Sequence, residues 1–503
     1  MNAGHNRLRM VRAGIDTYQQ PVVYMHRDCG VCRAEGFAAL TRVLVRSGDR
    51  ELVATLNVVT SDWLAPDVAA LSEAAWSALQ PVADAWAIFS HPEPPVSAPA
   101  LRSKVFGQRL SDSDFLALMQ DTVDNRLSEI ELAAFVTACA GERLDQQETI
   151  GLTRAMVAVG QRIDWGSGPV LDKHCVGGLP GNRTTPIVVA IVAAAGHRIP
   201  KTSSRAITSP AGTADTMEVM APVQLDLAAM RRVVEQEGGC IVWGGSVGLS
   251  PADDVLIRVE RPLDFDSDGQ LVASVLSKKA AAGSSHVLID IPVGPTAKVR
   301  SVEAADALQA RLLTTADALG LTLSVLRTDG RQPVGFGIGP ALEARDVLAV
   351  LRGDADAPPD LRQRALDLAS ALLDLAPGAE PGRGRSAAVA ILDSGAALRK
   401  FLAICSAQGG FTEPTLAAHT RPVLASRDGL LRDVDNRRLA KIAKLAGAPV
   451  SLTAGIDCRL RIGHSIRAGE PLFHVHAQTP GELEYALAYA AKHPDIFVIG
   501  AGP

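Results

Sequence analysis

Two polar loops, each placed between an apolar strand and a helix, constrain the fold of this chain more than any other feature. The first loop extends from Asp172 to Thr185 and contains the pair Gly177-Gly178. The second extends from Lys201 to Ser209 and is rich in Ser, Thr, Lys and Arg. Loops at the carboxyl ends of parallel strands are where open α/β sheets bind ligands. The pair of loops therefore predicts an α/β domain that binds an anion.

The first loop has the composition of a phosphate site at the start of a helix. Thr185 suits the N-cap, and Pro186 suits the first helical position because it has no N–H group to leave unpaired. The free N–H groups of a helix N-terminus attract anions, and Lys173 adds a full positive charge. One such loop alone is more often an ordinary glycine turn, but two of them in one stretch of chain favour an anion site.

The overall composition is that of a globular protein and argues against several classes of function. Apolar residues make up 47% of the 503 residues and charged residues 21%, which suits about three domains with large cores. The net charge of −5 provides no basic surface for nucleic acid or for an anionic membrane. No apolar run is long enough to span a bilayer. Seven scattered cysteines and a polar N-terminus predict a cytoplasmic location.

Changes in the hydrophobic pattern divide the chain into four predicted domains. They are a small β-rich domain at residues 1–90, a helical lobe at residues 97–165, an α/β domain at residues 166–375 and an α+β domain at residues 386–503. In the third domain strands alternate with helices, which is typical of βα units and a largely parallel sheet. The predicted fold class is therefore α/β multidomain, with a helical lobe beside a mixed or parallel-sheet lobe.

Two short patterns resemble parts of metal sites, but neither has a full set of ligands beside it. Cys29 and Cys32 have the spacing of a zinc-binding pair, but a structural zinc site takes four ligands and the sequence contains no second pair. His474 and His476 point to the same side of a predicted strand, with no thiol beside them. No metal site is predicted.

The two loops also carry a resemblance to a known family. Asp-Lys-His at 172–174 with Gly-Gly at 177–178 resembles the pyrimidine-nucleoside and thymidine phosphorylases. The segment from Lys201 to Asp215 resembles their long subclass, which contains AMP phosphorylases and type 2 thymidine phosphorylases. The resemblance implies a homodimer or larger homo-oligomer without a cofactor. Its reaction uses inorganic phosphate as co-substrate to split a nucleoside or nucleotide into free base and sugar 1-phosphate.

The resemblance also implies roles for individual residues. The positions that match phosphate-binding residues are Lys173, Ser203, Thr213 and, with one residue inserted near Pro180, Thr185. Cys175 stands where a serine that touches phosphate is usual, and a thiol is a weaker donor than a hydroxyl. The positions that match pyrimidine-binding residues are Arg258, Ser274 and Lys278. The AMP phosphorylase pattern assigns nucleotide binding to Gly178, Ser204, Arg205, Ala206, Ile207, Thr208, Ser209, Thr213, Ser274 and Lys298.

Two residues are candidates for the acid that protonates the departing base. The AMP phosphorylase pattern implies Asp266, whereas His174 matches a histidine proposed as an acid in thymidine phosphorylases. An aspartic acid that donates a proton at neutral pH needs its pKa raised by about three units, and a histidine needs little change. The chemistry favours His174 and the nearer subclass favours Asp266, which we expect to be the acid.

Two other classes of function are alternatives. A magnesium-dependent phosphoribosyltransferase of similar fold would use an acidic pair such as Asp253-Asp254, although Asp253 also suits the first turn of a helix that follows Ser250. A non-catalytic nucleotide-binding or phosphate-binding protein would use the same loops without releasing base.

The choice of substrate within the family also stays open. Several polar residues could bind a second phosphate, and they slightly favour nucleoside 5′-monophosphates (AMP, CMP or UMP) over thymidine. These residues are Ser204, Arg205, Thr208, Ser209 and Lys298.

Overall fold

The computed structural model of the chain describes residues 6–82, 84–206, 209–263, 267–380 and 382–500. The chain forms two compact units. The first consists of Met1–Val159 and Pro251–Gln270, and the second of Gly160–Ser250 and Leu271–Pro503. The chain therefore leaves the second unit and later returns to it, a path that the hydrophobic pattern of the sequence does not indicate.

A closed barrel of six strands begins the first unit. The strands pair in the order β1-β5-β2-β4-β3-β6, and two short helices accompany them. Alternate side chains of a strand point to opposite faces, and those that point inward include Met10, Met25 and Phe89, all fully buried. The predicted β-rich N-terminal domain is confirmed. The elements are β1 (Arg7–Arg12), β2 (Val22–His26), α1 (Gly30–Glu35), β3 (Arg42–Ser47), β4 (Arg50–Val59), β5 (Val68–Leu71), α2 (Glu73–Leu79) and β6 (Trp86–Ser90).

Four helices follow the barrel and form the predicted helical lobe. They are α3 (Ala98–Val105), α4 (Asp112–Val123), α5 (Glu129–Ala138) and α6 (Gln146–Ala158). Ser111 and Ser128 begin α4 and α5 with capping boxes, in which the serine side chain and an acidic side chain three residues later bond each other's backbone N–H groups. Such reciprocal caps fix the helix starts that the serines and acidic residues predict.

Parallel strands form the framework of the second unit. β10 lies between β7 and β11 and is parallel to both, and β8 and β9 form a second parallel pair. A bridge from Val170 to Arg198 joins the starts of β7 and β8. The predicted parallel α/β lobe is therefore confirmed. In chain order its first elements are β7 (Leu171–Cys175), α7 (Thr185–Ala194), β8 (Ile199–Ser203), α8 (Thr213–Glu218), α9 (Leu227–Glu237), β9 (Gly239–Trp243) and α10 (Gly244–Val247).

The chain next passes through the first unit in α11 (Pro251–Leu263) and returns through α12 (Asp268–Ala281). The strands β10 (His286–Val293), β11 (Thr322–Asp329) and β12 (Gly337–Ile338) follow, with helices α13 (Val302–Ala318), α14 (Pro340–Arg352), α15 (Pro359–Leu375), α16 (Gly384–Asp393) and α17 (Ala396–Gln408). Ala388, Leu392 and Phe401 of α16 and α17 are buried in the same core as α7 and α15. These two helices thus pack against α7 and α15, and the domain limit near residue 386 stays a prediction.

The remaining residues form the predicted α+β domain. Its two sheets have the strand orders β12-β15-β17-β13 and β16-β14-β18. His476 lies on β17 and shares a hydrogen bond with Thr420, 3.1 Å from Nδ1 to Oγ1, so this histidine has a structural partner. The elements are β13 (His419–Leu424), β14 (Gly429–Val434), α18 (Asn436–Leu445), β15 (Gly455–Asp457), β16 (Ser465–Ile466), β17 (Pro471–Ala477), α19 (Pro480–Lys492), a 3₁₀ turn (Pro494–Ile496) and β18 (Phe497–Gly500).

The described ranges contain neither a candidate membrane-spanning helix nor a cluster of candidate metal ligands. None of the helices there is both long enough and apolar enough to cross a membrane. No group of three or more His, Cys, Asp or Glu side chains in those ranges is arranged to hold a metal ion.

Candidate active site

The first four residues of the predicted first loop, Asp172 to Cys175, belong to strand β7, and the buried Lys173 lies in the middle of that strand. Lys173 Nζ donates to Thr184 Oγ1 at 2.8 Å and lies 3.9 Å from Asp290 Oδ2. The predicted N-cap at Thr185 is wrong by one residue, because α7 begins at Thr185 and Thr184 precedes it. Thr184 makes no capping bond, since its hydroxyl accepts from Lys173 instead. The loop therefore places a cation directly at the N-terminus of α7.

A second buried ion cluster lies beside Lys173. Asp172 Oδ2 accepts from Lys279 Nζ at 2.5 Å and from Ser284 Oγ at 3.1 Å. Lys201 Nζ lies 3.9 Å from Asp172 Oδ1. Burial, together with the charge of Lys279, lowers the pKa of Lys201 to about 7. The cluster thus contains three lysines, Lys173, Lys201 and Lys279, beside Asp172 and Asp290, and Lys201 is only partly protonated at pH 7.

The environment of His174 bears directly on its predicted role as an acid. Burial lowers the pKa of this histidine well below its ordinary value of 6.5, and positive charges lower it further. The charges that act on the ring belong to Lys279, Lys201, Lys278 and Lys173. The imidazole is therefore neutral at pH 7 in the protein without a bound anion.

Cys175 is a neutral thiol in this site. Burial raises its pKa to about 12, and the nearby carboxylate of Asp290 raises it as well. Asn182 donates from Nδ2 to Cys175 Sγ at 3.6 Å and to Asp290 Oδ2 at 3.5 Å. Asn182 has a positive φ of 56°, a conformation that asparagine tolerates better than most residues. The thiol is thus held as an uncharged group beside the phosphate loop.

Ser203, at the end of β8, has the property expected of a ligand-binding hydroxyl. Its side-chain oxygen is buried, and it finds no hydrogen-bond partner among the described residues. A buried hydroxyl without a partner costs free energy, so such groups are commonly completed by a ligand or by water. This observation is consistent with the predicted role of Ser203 in phosphate binding.

The second loop contains an arginine whose charge is already paired. Arg205 donates to both carboxylate oxygens of Glu218 and lies 3.4 Å from Asp215 Oδ1. Its guanidinium also stacks on Trp243, 5.0 Å from the ring centroid. Arg205 holds the pKa of Glu218 below its usual value. These contacts orient the arginine toward α8 and Trp243.

The start of α8 is packed tightly against the second loop. Asp215 Oδ2 accepts from the backbone N–H of Ala206 at 2.6 Å and from that of Gly212 at 2.8 Å. A Cβ on Gly212 would lie 2.5 Å from the carbonyl oxygen of Ser204, so only glycine fits there. Ser209 Oγ donates to the carbonyl of Ala211 at 3.0 Å. The loop and the helix therefore hold each other in place.

Thr213, the first residue of α8, is bound by an arginine of the first loop. Arg183 Nη1 donates to Thr213 Oγ1 at 2.7 Å, and Arg183 Nη2 donates to the carbonyl of Ala211 at 3.0 Å. Arg183 Nε donates to Glu343 Oε2 at 2.7 Å. One side chain thus joins the first predicted phosphate loop to the start of α8.

Gly178 and Lys298, both predicted to bind nucleotide, lie against each other. A methyl group on Gly178 would lie 2.7 Å from Lys298 Cβ and 2.9 Å from its Cα. Gly178 also has a φ of 84°, which residues with a Cβ adopt only at a cost. The loops that follow β7 and β10 therefore meet at a point where only glycine fits.

The predicted base-binding pair on α12 shares one face of that helix. Lys278 Nζ donates to Ser274 Oγ at 3.1 Å. Both side chains are partly exposed, whereas the adjacent Lys279 is buried. The spacing of four residues predicts this shared face, and the hydrogen bond confirms it.

Of the remaining residues with predicted roles, one lies in the first unit and three lie outside the described residues. Arg258 lies on α11 in the first unit, where its Nη2 donates to Glu129 Oε1 at 2.7 Å. Its Nε is buried and has no hydrogen-bond partner among the described residues. Ile207, Thr208 and Asp266 lie outside the described residues.

Sequence reasoning assigned no role to several residues that organise the site. They are Asp172, Asn182, Arg183, Lys201, Lys279, Asp290 and Glu343. The one sequence signal for such residues was a charge next to an apolar run, as at Asp172 after Val170-Leu171 and at Lys279 before Ala280–Ala282. The partners come from distant parts of the chain, so the pairing itself had no sequence signal.

Comparison with known proteins identifies three regions. Residues 98–160 match the helical bundle domain of a glycosyl transferase family, and residues 167–398 match the a/b domain of a glycosyl transferase family. Residues 430–496 match the pyrimidine nucleoside phosphorylase C-terminal domain. The three matches together extend from residue 98 to residue 496.

Whole-chain relatives give the same result. "Putative thymidine phosphorylase 1" of Acidovorax sp. (strain JS42) is 63% identical and covers 98% of this chain and 96% of its own. "Putative thymidine phosphorylase" of Polaromonas sp. (strain JS666 / ATCC BAA-500) is 62% identical, with coverages of 97% and 96%.

A solved structure supports the fold. Anthranilate phosphoribosyltransferase (TrpD) from Thermus thermophilus matches with a TM-score of 0.52 and 19% identity, over 61% of this chain and 99% of that one. At this identity the likeness concerns the fold alone, so it lends no support to a magnesium-dependent transferase. The chain belongs to the pyrimidine nucleoside phosphorylase family and is a pentosyltransferase of the nucleoside phosphorylase type.

Proposed function

We propose that this enzyme cleaves the N-glycosidic bond of pyrimidine nucleosides, thymidine foremost, with inorganic phosphate. The products are the free base and the sugar 1-phosphate, and the reaction is reversible. The names of the relatives support thymidine as substrate. The observation that carries the choice of a nucleoside over a nucleotide is the pairing of Arg205.

A nucleoside 5′-monophosphate brings a second phosphate, which needs a charged donor of its own. Arg205 is the one arginine of the second loop, and its guanidinium is held by Glu218 and Asp215. A substrate phosphate would have to replace a two-point carboxylate contact that is already formed. A nucleoside makes no such demand, which supports the thymidine-type substrate.

Nucleoside 5′-monophosphates are the second candidate, and one observation favours them. Lys298 lies against Gly178 at the edge of the first loop. A lysine at that point provides a positive charge in addition to Lys173, and a second charge suits a substrate with two phosphate groups in the site.

The proposed chemistry depends on holding the phosphate rather than on activating it. Phosphate is already an anion at neutral pH, so no general base is needed. One of its oxygens forms a bond to the anomeric carbon of the sugar while the bond from that carbon to the base nitrogen breaks. The electron pair of the broken bond leaves with the base. Lys173, Ser203 and Thr213 would orient the nucleophile, and Lys278 would stabilise negative charge on a carbonyl oxygen of the base.

We propose Asp266 as the acid that protonates the departing base. The lowered pKa of His174 supports this assignment, because a neutral imidazole is a poor proton donor in the absence of an anion. Asp266→Asn should lower kcat by more than about 100-fold and change the KM values little, since an acid acts mainly in the transition state. An unchanged kcat, together with a large loss in His174→Gln, would transfer the role to His174.

The deciding experiment is a substrate panel without added metal. Purified enzyme is incubated with phosphate and, in parallel, with thymidine, uridine, AMP, CMP and UMP, and the free base is quantified by chromatography. We expect base from thymidine and uridine and none from the 5′-monophosphates. Base from the monophosphates alone would establish the second candidate.

A control reaction covers the remaining alternatives. It contains Mg²⁺ and a diphosphate sugar and no inorganic phosphate. Activity in this control alone would refute phosphorolysis. Phosphate binding without base release from any substrate would indicate a protein that binds its ligand without catalysis.

A further inference from the structure

Arg183 connects three segments of the second unit that are far apart in sequence. It belongs to the first phosphate loop, and it donates to Thr213 at the start of α8 and to the carbonyl of Ala211, which lies between the second loop and α8. It also donates to Glu343 on α14. Its side chain is 13% exposed and that of Glu343 is 2% exposed. One guanidinium thus connects the first phosphate loop to the start of α8 and to α14.

The hydrogen bond to Thr213 determines what the threonine hydroxyl can do. A hydroxyl has one proton to donate and two lone pairs that accept. Because arginine can only donate, Thr213 Oγ1 is the acceptor in this contact. The hydroxyl proton is left to point away from Arg183, where it can bind an anion. The same contact places positive charge behind the hydroxyl and makes it a stronger donor.

Glu343 holds Arg183 in this orientation. Its carboxylate accepts from Arg183 Nε, from Thr216 Oγ1 at 3.3 Å and from the backbone N–H of Gly339 at 3.1 Å. Burial raises the pKa of Glu343 to about 7, while the charge of Arg183 acts in the opposite direction. Glu343 therefore holds Arg183 through Nε, and Nη1 is left to bind Thr213.

The start of α8 has little freedom to adjust if this contact is lost. Gly212 packs against the backbone of the second loop, with space for no side chain. Its N–H group and that of Ala206 share the Asp215 carboxylate. A change at Arg183 is thus transmitted to Thr213 and is not absorbed by a shift of the helix.

We propose that Arg183 is a positioning residue of the phosphate site, which orients the Thr213 hydroxyl toward bound phosphate and is itself oriented by Glu343. The proposal rests on phosphate being the co-substrate in the proposed function. It extends that function to a residue that does not itself touch the reacting atoms.

The test distinguishes an effect on the KM for phosphate from an effect on the KM for the nucleoside. Arg183→Gln should raise the KM for phosphate about 10-fold or more, because one oriented hydrogen bond to an anion is lost. The KM for the nucleoside should change less than about 3-fold. Arg183→Lys keeps the charge but offers no planar fork of donors, so it should lie between wild type and Arg183→Gln. If Arg183→Gln does not fold, Arg183→Lys carries the same comparison.

A double-mutant cycle tests whether Arg183 affects phosphate binding through Thr213. Since Arg183 acts through Thr213, Arg183→Gln combined with Thr213→Val should be no worse for phosphate KM than Thr213→Val alone. Additive losses in the double variant would overturn the proposal, as would equal increases in both KM values.

Arg461 provides a matched control for loss of stability. It is also 13% exposed, and it donates to the Asp360 carboxylate at 2.9 Å and to the carbonyl of Gly335 at 2.7 Å. Arg461→Gln should lower thermal stability without a selective change in phosphate KM. A selective phosphate effect in this variant would remove the basis for assigning a special role to Arg183.

A binding measurement keeps this test independent of the nucleoside. Calorimetric titration of wild type and variants with inorganic phosphate alone reports affinity without turnover. Weaker binding in Arg183→Gln than in Arg461→Gln supports the proposal even if the true nucleoside differs from thymidine. Equal affinity in the two variants refutes it, and failure of wild type to bind phosphate refutes the proposed function itself.

Discussion

Replacing Gly178 by alanine tests the close approach of the loops that follow β7 and β10. The new methyl group would lie 2.7 Å from Lys298 Cβ and 2.9 Å from its Cα, closer than real Cβ atoms pack. The neighbouring atoms belong to the backbone and to the root of a side chain, so a change of rotamer cannot relieve the overlap. The loops must therefore move apart by several tenths of an ångström.

Gly177 offers a control that differs in this contact. Its φ is 88° and that of Gly178 is 84°, so alanine at either position pays a similar conformational cost of about 1–2 kcal/mol. A Cβ on Gly177 meets nothing within 4 Å. The overlap at Gly178 adds about 1–3 kcal/mol, the usual range for overpacking. The difference between the two variants isolates the effect of the contact with Lys298.

The expected result is a difference in catalysis larger than the difference in stability. A displacement approaching 1 Å in a loop that positions substrate costs up to about 100-fold in rate. Gly178→Ala should therefore lower kcat/KM for phosphorolysis by about 10-fold to 100-fold, and Gly177→Ala by less than about 10-fold. Steady-state kinetics of base release at varied phosphate measures both. Equal losses in the two variants would show that the approach of Lys298 to Gly178 does not matter for the reaction.

Two further predictions concern the buried lysines. Lys173→Ala should raise the KM for phosphate by about 10-fold to 100-fold, because a buried charged hydrogen bond is worth about 1.5–3 kcal/mol. Near-normal turnover at limiting phosphate would contradict the proposed phosphate site. For Lys201 the folded-state pKa of about 7 lies below an unfolded value of about 10.4. Between these values the unfolded chain binds a proton that the folded protein does not, so this lysine makes stability increase as the pH rises from 7 toward 10. The thermal midpoint of wild type relative to Lys201→Met should therefore be higher at pH 9 than at pH 7, and a constant difference would contradict the assigned environment.

Much of the fold was predictable because local signals determine it. Ser111 and Ser128, each followed by acidic residues, are typical of helix starts, and both begin helices with capping boxes. The alternation of strands and helices predicted the parallel lobe. The path of α11 was not predictable, because its apolar face gives no indication of which part of the chain it packs against.

The candidate site was predictable as a set of residues but not as a set of contacts. The resemblance named Lys173, Thr213 and Gly178, and the structure then connects them to Thr184, Arg183 and Lys298. These partners are set by tertiary packing, which sequence spacing does not encode. The same holds for Arg205, whose charge suggested a substrate contact until Glu218 was found to pair with it. The homo-oligomer, the cytoplasmic location, the domain limits and the absence of a cofactor stay predictions.

The return of the chain to the first unit has a consequence for synthesis on the ribosome. Ala252, Leu256 and Val259 of α11 are buried, and α11 belongs to a unit that otherwise ends at Val159. At about 5–20 residues per second, α11 becomes available to complete that unit roughly 5–20 seconds after Val159 is made. During this interval the helices of the nascent lobe expose apolar surface, and a fragment that ends at Val159 would keep that surface exposed permanently.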